Sequence, residues 1–441
     1  MVEPIAKSRL TLIPLVAATY FMVSGGPYGL EEIVAGAGYR GAIVILLVTP
    51  LVWSLPTTLM VGELAAALPE EGGYYAWVKR ALGRFWGFQE AWLSLVASIF
   101  DMAIYPTLFT LYLGHLWPAL AIGHRPLVAG ALMIFVSGAW NLRDVRAIGW
   151  SAVALTVALL APFAVLAALA WLAPAAAAPS TASASDAAAP SLASTGLWSG
   201  VLVAIWNYMG WDNASTVAGE VHRPQRTYPL AMLLAVTLVA LTYVIPVAAV
   251  AHANLDVRDW STGGWVDVAS TVGGPWLGRA IAIGGVLCGI GMFNALILSY
   301  SRVPVALAED GFLPRRFTQR LPSGAPWLAV VSCCVAYTAC LEIGFVRLIE
   351  LDVLVYGLSL LLEFVSLVAL RIREPQLVKP FRVPGGVVGA ALLGVPPMAL
   401  IAVALVSGRH ERVGRLPTLA LGAILVGAGP LVYWMGVRRR S

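Results

Sequence analysis

Long apolar runs fill this chain from residue 11 to residue 436, and short polar or glycine- and proline-rich stretches separate them. A membrane-spanning helix needs about 20 predominantly apolar residues, and twelve runs approach or exceed that length. None alternates apolar and polar positions as the strands of an outer-membrane barrel do. The pattern predicts an all-α integral membrane protein with about twelve transmembrane helices. They cover residues 11–35, 42–67, 87–116, 126–141, 149–173, 197–218, 229–252, 276–306, 327–343, 348–371, 386–407 and 416–436.

The composition points to the same class of protein. Of the 441 residues, 59% are apolar and 12% are charged, and the mean hydropathy is +0.83. Soluble domains average roughly 45–50% apolar and about 25% charged residues. A soluble enzyme, a nucleic-acid-binding protein and a disordered scaffold are therefore excluded, because such a chain could not cover its apolar surface in water. The four cysteines lie in apolar runs, which predicts core residues and neither disulfides nor a metal site.

Basic residues are distributed unequally between the two sides of the predicted membrane. With the N-terminus in the cytoplasm, the inner side carries 19 Lys and Arg residues and the outer side carries 8. The positive-inside rule therefore predicts a multi-pass protein of the cytoplasmic membrane with both termini in the cytoplasm. The outer stretch 174–196 is rich in Ala, Pro and Ser and has no Lys or Arg, which predicts a flexible external loop.

Two of the predicted helices are interrupted in the middle. The first contains a glycine- and proline-rich break at residues 24–29, and the sixth contains a polar break at residues 207–213. Non-helical backbone at membrane depth occurs only where it is buried in protein or lines a cavity. Interrupted helices at matching positions of two five-helix halves are typical of inverted-repeat transporters. Ordinary proline or glycine kinks in packed helices are the alternative interpretation.

A set of motifs surrounds these interruptions. They occupy residues 23–32, 53–56, 62–64, 69–74, 85–89, 101–106, 206–207, 211–212, 218–221, 224–229 and 379–384, together with Glu363. In these motifs the chain resembles the amino acid–polyamine–organocation superfamily, and within it the branch of polyamine and L-type amino-acid uptake transporters. The resemblance implies a leucine-transporter-like fold in a single domain over residues 1–441. Its inverted repeats would be residues 11–173 and 197–371, followed by two additional helices within 386–436.

The eighth predicted helix departs from the polyamine branch. The stretch from Asn294 to Arg302 contains no carboxylate, whereas the polyamine branch carries acidic residues there. It resembles instead the signature of general bacterial amino-acid permeases. The resemblance therefore implies a secondary transporter that imports an amino acid, with polyamine uptake as the alternative. A transport-inactive membrane sensor or partner subunit is the alternative of another class.

Two intramembrane carboxylates are the main candidates for substrate binding and for proton coupling, because such groups are costly in a membrane. Asp212 lies inside the second break, beside Asn207 and Trp211. Asp101 lies in the middle of the third helix and shares a face with Tyr105, four residues on. The structural alternatives are a carboxylate that caps the following half-helix for Asp212 and a buried hydrogen-bond anchor for Asp101.

The remaining predicted binding groups lie in the breaks or near them. Backbone N–H groups at Ser24, Gly25 and Gly26 could bind an anion such as an amino-acid carboxylate, and tight helix packing is the alternative for them. Tyr208 and Trp211 could stack on a substrate. The set is completed by Glu32, which follows the first break, and by Asn294 on the eighth helix.

Glu220, Arg223 and Arg226 at the predicted cytoplasmic mouth suggest an ion-pair gate, and the alternative is a solvated loop. The sequence has no metal-binding His spacing and no phosphate-binding loop of the Walker type, and no nucleophile–base constellation of an enzyme. We expect no cofactor. We expect a proton as the coupling ion, with sodium at Ser299 and Ser301 as the alternative, and a small-molecule substrate and membrane lipids as partners.

Overall fold

A computed structural model describes residues 11–69, 73–143, 148–173, 195–221, 223–255, 260–407, 412–413 and 415–438. Almost all of the regular structure in these ranges is helical, and the one exception is a short antiparallel pair, β1 (Arg412–Val413) with β2 (Leu416–Pro417). Eight helices are long and apolar enough to cross a membrane, and α1 and α13 are shorter apolar helices. The prediction of an all-α membrane protein is confirmed. The division into repeats stays a prediction, and most of the predicted external loop, residues 174–194, lies outside the described residues.

The described residues of the first predicted half form seven α-helices. They are α1 (Leu12–Val23), α2 (Glu31–Thr49), α3 (Leu55–Ala67), α4 (Gly73–Leu82), α5 (Arg84–Leu116), α6 (Arg125–Asn141) and α7 (Ile148–Leu172), with a π-helical turn at Pro50–Ser54 and a 3-10 turn at Pro118–Ala121. Gly38 interrupts α2 with φ 65° and ψ 174°. α2 therefore contains the end of the first predicted helix and the beginning of the second.

In the second predicted half and the C-terminal part, the residues that the structure describes form ten further α-helices. They are α8 (Thr195–Asn207), α9 (Pro224–His252), α10 (Trp265–Gly273), α11 (Pro275–Tyr300), α12 (Arg302–Glu309), α13 (Trp327–Ala339), α14 (Phe345–Arg373), α15 (Gly386–Leu393), α16 (Val395–Ser407) and α17 (Thr418–Arg438), with 3-10 turns at Trp211–Glu220 and Arg315–Thr318. The hydropathy pattern does not predict α4 or α10, because each is too short and too polar to resemble a membrane span.

α5 is the central helix of the core and packs against α11 and α14. Glycines allow α11 to approach it closely. A Cβ atom on Gly285 would lie 2.2 Å from the ring of Tyr112, and one on Gly289 would lie 2.8 Å from the carbonyl oxygen of Tyr105. Small residues at such positions are the usual means of close helix contact in membranes.

Candidate substrate-binding site

Both predicted interruptions are present, and they lie against each other. α1 ends at Val23 and α2 begins at Glu31, while α8 ends at Asn207 and a 3-10 turn begins at Trp211. Gly210 has φ +88°, and a Cβ atom on it would lie 3.0 Å from the carbonyl oxygen of Met22. A side chain at residue 210 would therefore force the two breaks apart.

Hydrogen bonds from the rest of the fold hold the first break in place. The carboxylate of Glu31 accepts bonds from the backbone N–H groups of Gly29 at 2.7 Å and Gly263 at 2.9 Å, and it also accepts one from the Tyr112 hydroxyl. The indole N–H of Trp265 donates to the carbonyl of Pro27 at 2.8 Å. Several backbone polar groups of the break are thus paired within the protein, as the absence of water in a bilayer requires.

The second break is held by aromatic side chains. The Tyr243 hydroxyl donates to the carbonyl of Asn207 at 2.9 Å, which satisfies an acceptor at the end of α8. Tyr208 donates to the carbonyl of Leu46 at 2.9 Å, and the indole of Trp211 donates to the carbonyl of Tyr208 at 2.6 Å. The side chains of Tyr208 and Trp211 therefore both donate to backbone carbonyls and stabilise the second break.

Asp101 lies where α5 passes these two breaks. One of its carboxylate oxygens accepts bonds from the Tyr105 hydroxyl at 2.8 Å and the Trp206 indole at 3.2 Å, and the other accepts one from the Tyr300 hydroxyl at 3.0 Å. The side chain is buried. Three neutral donors from three helices therefore orient one carboxylate without neutralising its charge.

A cavity opens beside Asp101, and aromatic and sulfur-containing side chains dominate its wall. Its lining consists of Met22, Val23, Gly25, Tyr28, Asp101, Tyr105, Leu108, Trp206, Asn207, Met209, Gly210, Asn213, Cys288, Met292, Tyr300 and Tyr356. None of these lining residues is a Lys, an Arg or a His. Aromatic faces around a buried carboxylate form a suitable environment for an organic cation.

The interrupted helices add partial negative charge to this cavity. α1 and α8 both end at the breaks, and the C-terminus of a helix carries roughly half a negative elementary charge. At the first break, the Ser24 N–H donates to the carbonyl of Tyr20, and the Gly26 N–H donates to the Ser24 hydroxyl at 3.1 Å. Two of the N–H groups predicted to bind a substrate carboxylate therefore already have partners.

Two further carboxylates lie next to the lining. Asp212 accepts a bond from the hydroxyl of Tyr356, which also accepts one from the Gly210 N–H at 3.3 Å. Asp352 on α14 is buried, close enough to Asp101 and Asp212 for their charges to interact, and one of its oxygens has no hydrogen-bond partner. Asp352 is not among the residues predicted from the sequence, although its position inside the tenth predicted span is a signal of function.

The structure brings some of the predicted binding residues together and not others. Gly25, Asp101, Tyr105 and Asn207 line the cavity, whereas the following predicted residues do not: Ser24, Gly26, Glu32, Tyr208, Trp211, Asp212 and Asn294. Glu32 accepts bonds from the N–H and the hydroxyl of Thr262, at 3.1 and 2.7 Å. Asn294 accepts a bond from Asn141 at 2.6 Å and donates to the carbonyl of Ile290 at 2.8 Å. Glu32 thus joins α2 to the segment before α10, and Asn294 joins α11 to α6.

The predicted gating residues follow the second break, and the serines predicted for sodium lie at the end of α11. The side chain of Glu220 lies outside the described residues, and Arg223 and Arg226 are exposed. Ser299, one of the two serines considered for sodium, is buried and donates to the side-chain oxygen of Asn213 at 3.4 Å.

The family model described as "Amino acid permease" matches residues 16–427. This chain belongs to the amino acid permease family. The resemblance found in the motifs is thereby confirmed, and the permease is a transporter and not an enzyme.

The names of its relatives mention two kinds of substrate. Polyamine transporter PUT1 of Oryza sativa subsp. japonica is 35% identical to the permease over 428 residues, which cover 96% of this chain and 78% of the relative. Polyamine transporter RMV1 of Arabidopsis thaliana is 34% identical over 425 residues, covering 95% and 84%. Serine/threonine exchanger SteT of Bacillus subtilis (strain 168) is 24% identical over 399 residues, covering 87% and 85%.

Proposed function

We propose that this permease imports a linear polyamine across the cytoplasmic membrane, by alternating access around the cavity beside Asp101. The observation that carries the proposal is a buried carboxylate in an aromatic wall that contains no basic residue. An ammonium group supplies the missing positive charge and gains from the aromatic faces around it. An amino acid would also need a partner for its carboxylate, and the N–H groups of Ser24 and Gly26 already donate within the protein.

Amino-acid import is the second candidate function. Its support is the region of α11 from Asn294 to Tyr300, which contains no carboxylate. A serine/threonine exchanger among the relatives supports the same candidate.

The coupling ion we propose is a proton. Asp212 and Asp352 lie close to Asp101 and have no basic partner in the described contacts. Neighbouring carboxylates in a low dielectric cannot all stay ionised unless cations bind to them. Protons and the ammonium groups of the substrate can therefore compensate the carboxylate charge in turn. An imposed inward proton gradient is expected to accelerate uptake into proteoliposomes, and replacing sodium is expected to have no effect. Dependence on sodium would favour the region of Ser299 instead.

Counterflow in proteoliposomes tests the substrate. Labelled putrescine and spermidine are compared with labelled neutral and cationic amino acids, in the wild type and in Asp101→Asn. We expect exchange of the polyamines, and a loss of roughly 10- to 100-fold in Asp101→Asn, because a hydrogen bond to a charged group contributes about 1.5–3 kcal/mol.

Asp267→Asn is the matched control, because Asp267 is an exposed carboxylate in the first turn of α10. It is expected to leave exchange unchanged. Exchange of amino acids alone would overturn the polyamine assignment. The absence of any flux with folded protein would support the interpretation as a membrane sensor.

A further inference from the structure

A second group of polar side chains lies between α5 and α14, away from the cavity lining. The Ser94 and Ser359 hydroxyls lie 2.9 Å apart, and both donate to the same carboxylate oxygen of Glu90. Glu363 is one helical turn after Ser359 and interacts electrostatically with Glu90. We call Glu90, Ser94, Ser359 and Glu363 the inner seam.

The helix register places the inner seam at a defined distance from the cavity. Glu90 and Asp101 are 11 residues apart on α5, and Asp352 and Glu363 are likewise 11 residues apart on α14. The two helices are antiparallel and meet at Ser94 and Ser359. At 1.5 Å per residue, Ser94 therefore lies about 10 Å and Glu90 about 16 Å from the level of Asp101, towards the Arg84 end of α5. That end carries the basic residues predicted to face the cytoplasm.

The inner seam contains buried oxygen atoms without partners. Both carboxylate oxygens of Glu363 and one of Glu90 make no hydrogen bond, and both side chains are fully buried. Tyr74 on α4 is also buried, and its charged neighbours include Glu90 and Glu363. Buried polar atoms normally have partners, so several unpaired acceptors at one place indicate a missing donor.

No basic side chain of the described chain supplies that donor. Arg371 is the only buried Lys or Arg in the described ranges, and it is bound to Glu63 at an Nε–Oε1 distance of 2.9 Å. The described residues also contain no group of three His, Cys, Asp or Glu that could hold a metal ion. An ammonium group fits better, because it donates hydrogen bonds to oxygen atoms and needs no closed coordination shell.

We propose that the inner seam is a second cation-binding site, which takes an ammonium group of a polyamine while another part of the substrate lies near Asp101. The inference rests on the proposed polyamine substrate. The charge of Asp212 interacts with Glu363 and with Asp101, so one further carboxylate is electrostatically coupled to both sites. A long polyamine such as spermine can reach both sites, and a short diamine such as putrescine can reach only one.

The test is a series of amines of increasing length. Putrescine, spermidine and spermine are titrated against purified wild type, Glu363→Gln, Glu90→Gln and Ser359→Ala, and binding is followed by calorimetry. We expect the wild type to bind spermine at least about tenfold more tightly than putrescine, as one additional charge-assisted bond provides. Glu363→Gln and Glu90→Gln should reduce that ratio to below about threefold while putrescine binding stays within about twofold. Ser359→Ala should reduce the ratio partially, because it removes one donor that orients Glu90.

The control is Glu342→Gln, the same change at an exposed residue between α13 and α14, and it is expected to keep the wild-type ratio. Melting temperatures show whether each variant is folded. Glu363→Gln should fold, since it breaks no hydrogen bond of the described structure. An unchanged ratio in folded Glu363→Gln overturns the second site. Equal losses for putrescine and spermine also overturn it, because they indicate a structural role. If the wild type binds no polyamine, the proposed function fails before the second site is tested.

Discussion

Single side chains set the shape of the cavity, and Gly25 is a clear case. A Cβ atom on Gly25 would lie 2.2 Å from the sulfur of Cys288 and 2.6 Å from the sulfur of Met292. The missing side chain therefore lets the first break approach α11. The sequence predicts Gly25 as a binding residue through its N–H group, and the structure supplies a second reason for a glycine there.

Gly25→Ala is expected to destabilise the permease by about 1–3 kcal/mol, the usual cost of additional volume in a packed core. Cys288→Ala removes the nearest sulfur, so the double variant Gly25→Ala/Cys288→Ala should recover part of the loss. Thermal unfolding in detergent measures both. If the two single changes were additive, with no recovery in the double variant, the contact would not be the cause.

At the level of elements, a buried ion pair fixes the segment after α14. Glu63 on α3 accepts two bonds from Arg371 on α14, and it also accepts the Val383 N–H at 2.7 Å. Arg371 donates in addition to the carbonyl of Val383 at 2.8 Å. These bonds tie the non-helical segment between α14 and α15 to α3 and α14.

Arg371→Met should reduce the stability by about 3–5 kcal/mol, because it leaves a buried carboxylate uncompensated. The control variant is Arg80→Met, which removes one partner of a surface ion pair. Arg80 pairs with Glu374 at 2.7 Å, and both side chains are about one-third exposed or more. Such surface pairs contribute about 0–1 kcal/mol. Equal melting temperatures of the two variants would contradict the role assigned to the buried pair.

A second contact between elements is sensitive to pH. Asp310, just after α12, accepts bonds from Tyr75 and from Lys79 on α4, the latter at 2.5 Å. Burial opposes the charged form, but these bonds outweigh it and hold the pKa of Asp310 below its ordinary value. Because its pKa is lower in the folded than in the unfolded state, Asp310 stabilises the fold above about pH 4, and this stabilisation is lost as the pH falls through the folded pKa.

The melting temperature of Asp310→Asn should therefore be lower than that of the wild type at pH 7, and the difference should shrink as the pH is lowered towards about 3. Asp267→Asn, at an exposed residue, should show no such convergence. A difference that stayed constant over this range would mean that the carboxylate charge does not matter.

At the scale of the whole molecule, the distribution of Lys and Arg residues predicts the orientation of the protein in the membrane. In a Cys340→Ser background, an impermeant maleimide should label His124→Cys on intact cells. Gln319→Cys should react only after permeabilisation, since it lies among the basic residues predicted to be cytoplasmic. Both positions are exposed, so the access side alone decides the result. The reverse labelling pattern would show that the topology, and with it the proposed direction of transport, is the opposite of the one predicted.

Much of the architecture follows from the sequence alone. The lengths of the apolar runs predict the membrane helices, and the glycine-, proline- and asparagine-rich stretches predict both breaks. These are local properties, because a helix in lipid must be long and apolar and because Gly and Pro change the backbone where they occur. Asp101 and Tyr105 were also predictable, since a spacing of four residues places them on one face of α5.

Only the tertiary structure decided which other side chains meet Asp101. Tyr300, Met292 and Asp352 belong to distant segments, and their approach depends on the rotation and register of α11 and α14 against α5. Hydropathy fixes neither, because rotating a largely apolar helix about its axis or sliding it along a neighbour changes the contacts and leaves the composition unchanged. The same reason explains why Tyr208, Trp211, Glu32 and Asn294 do not line the cavity. Their residue types suit a binding site, but packing directs them to other partners.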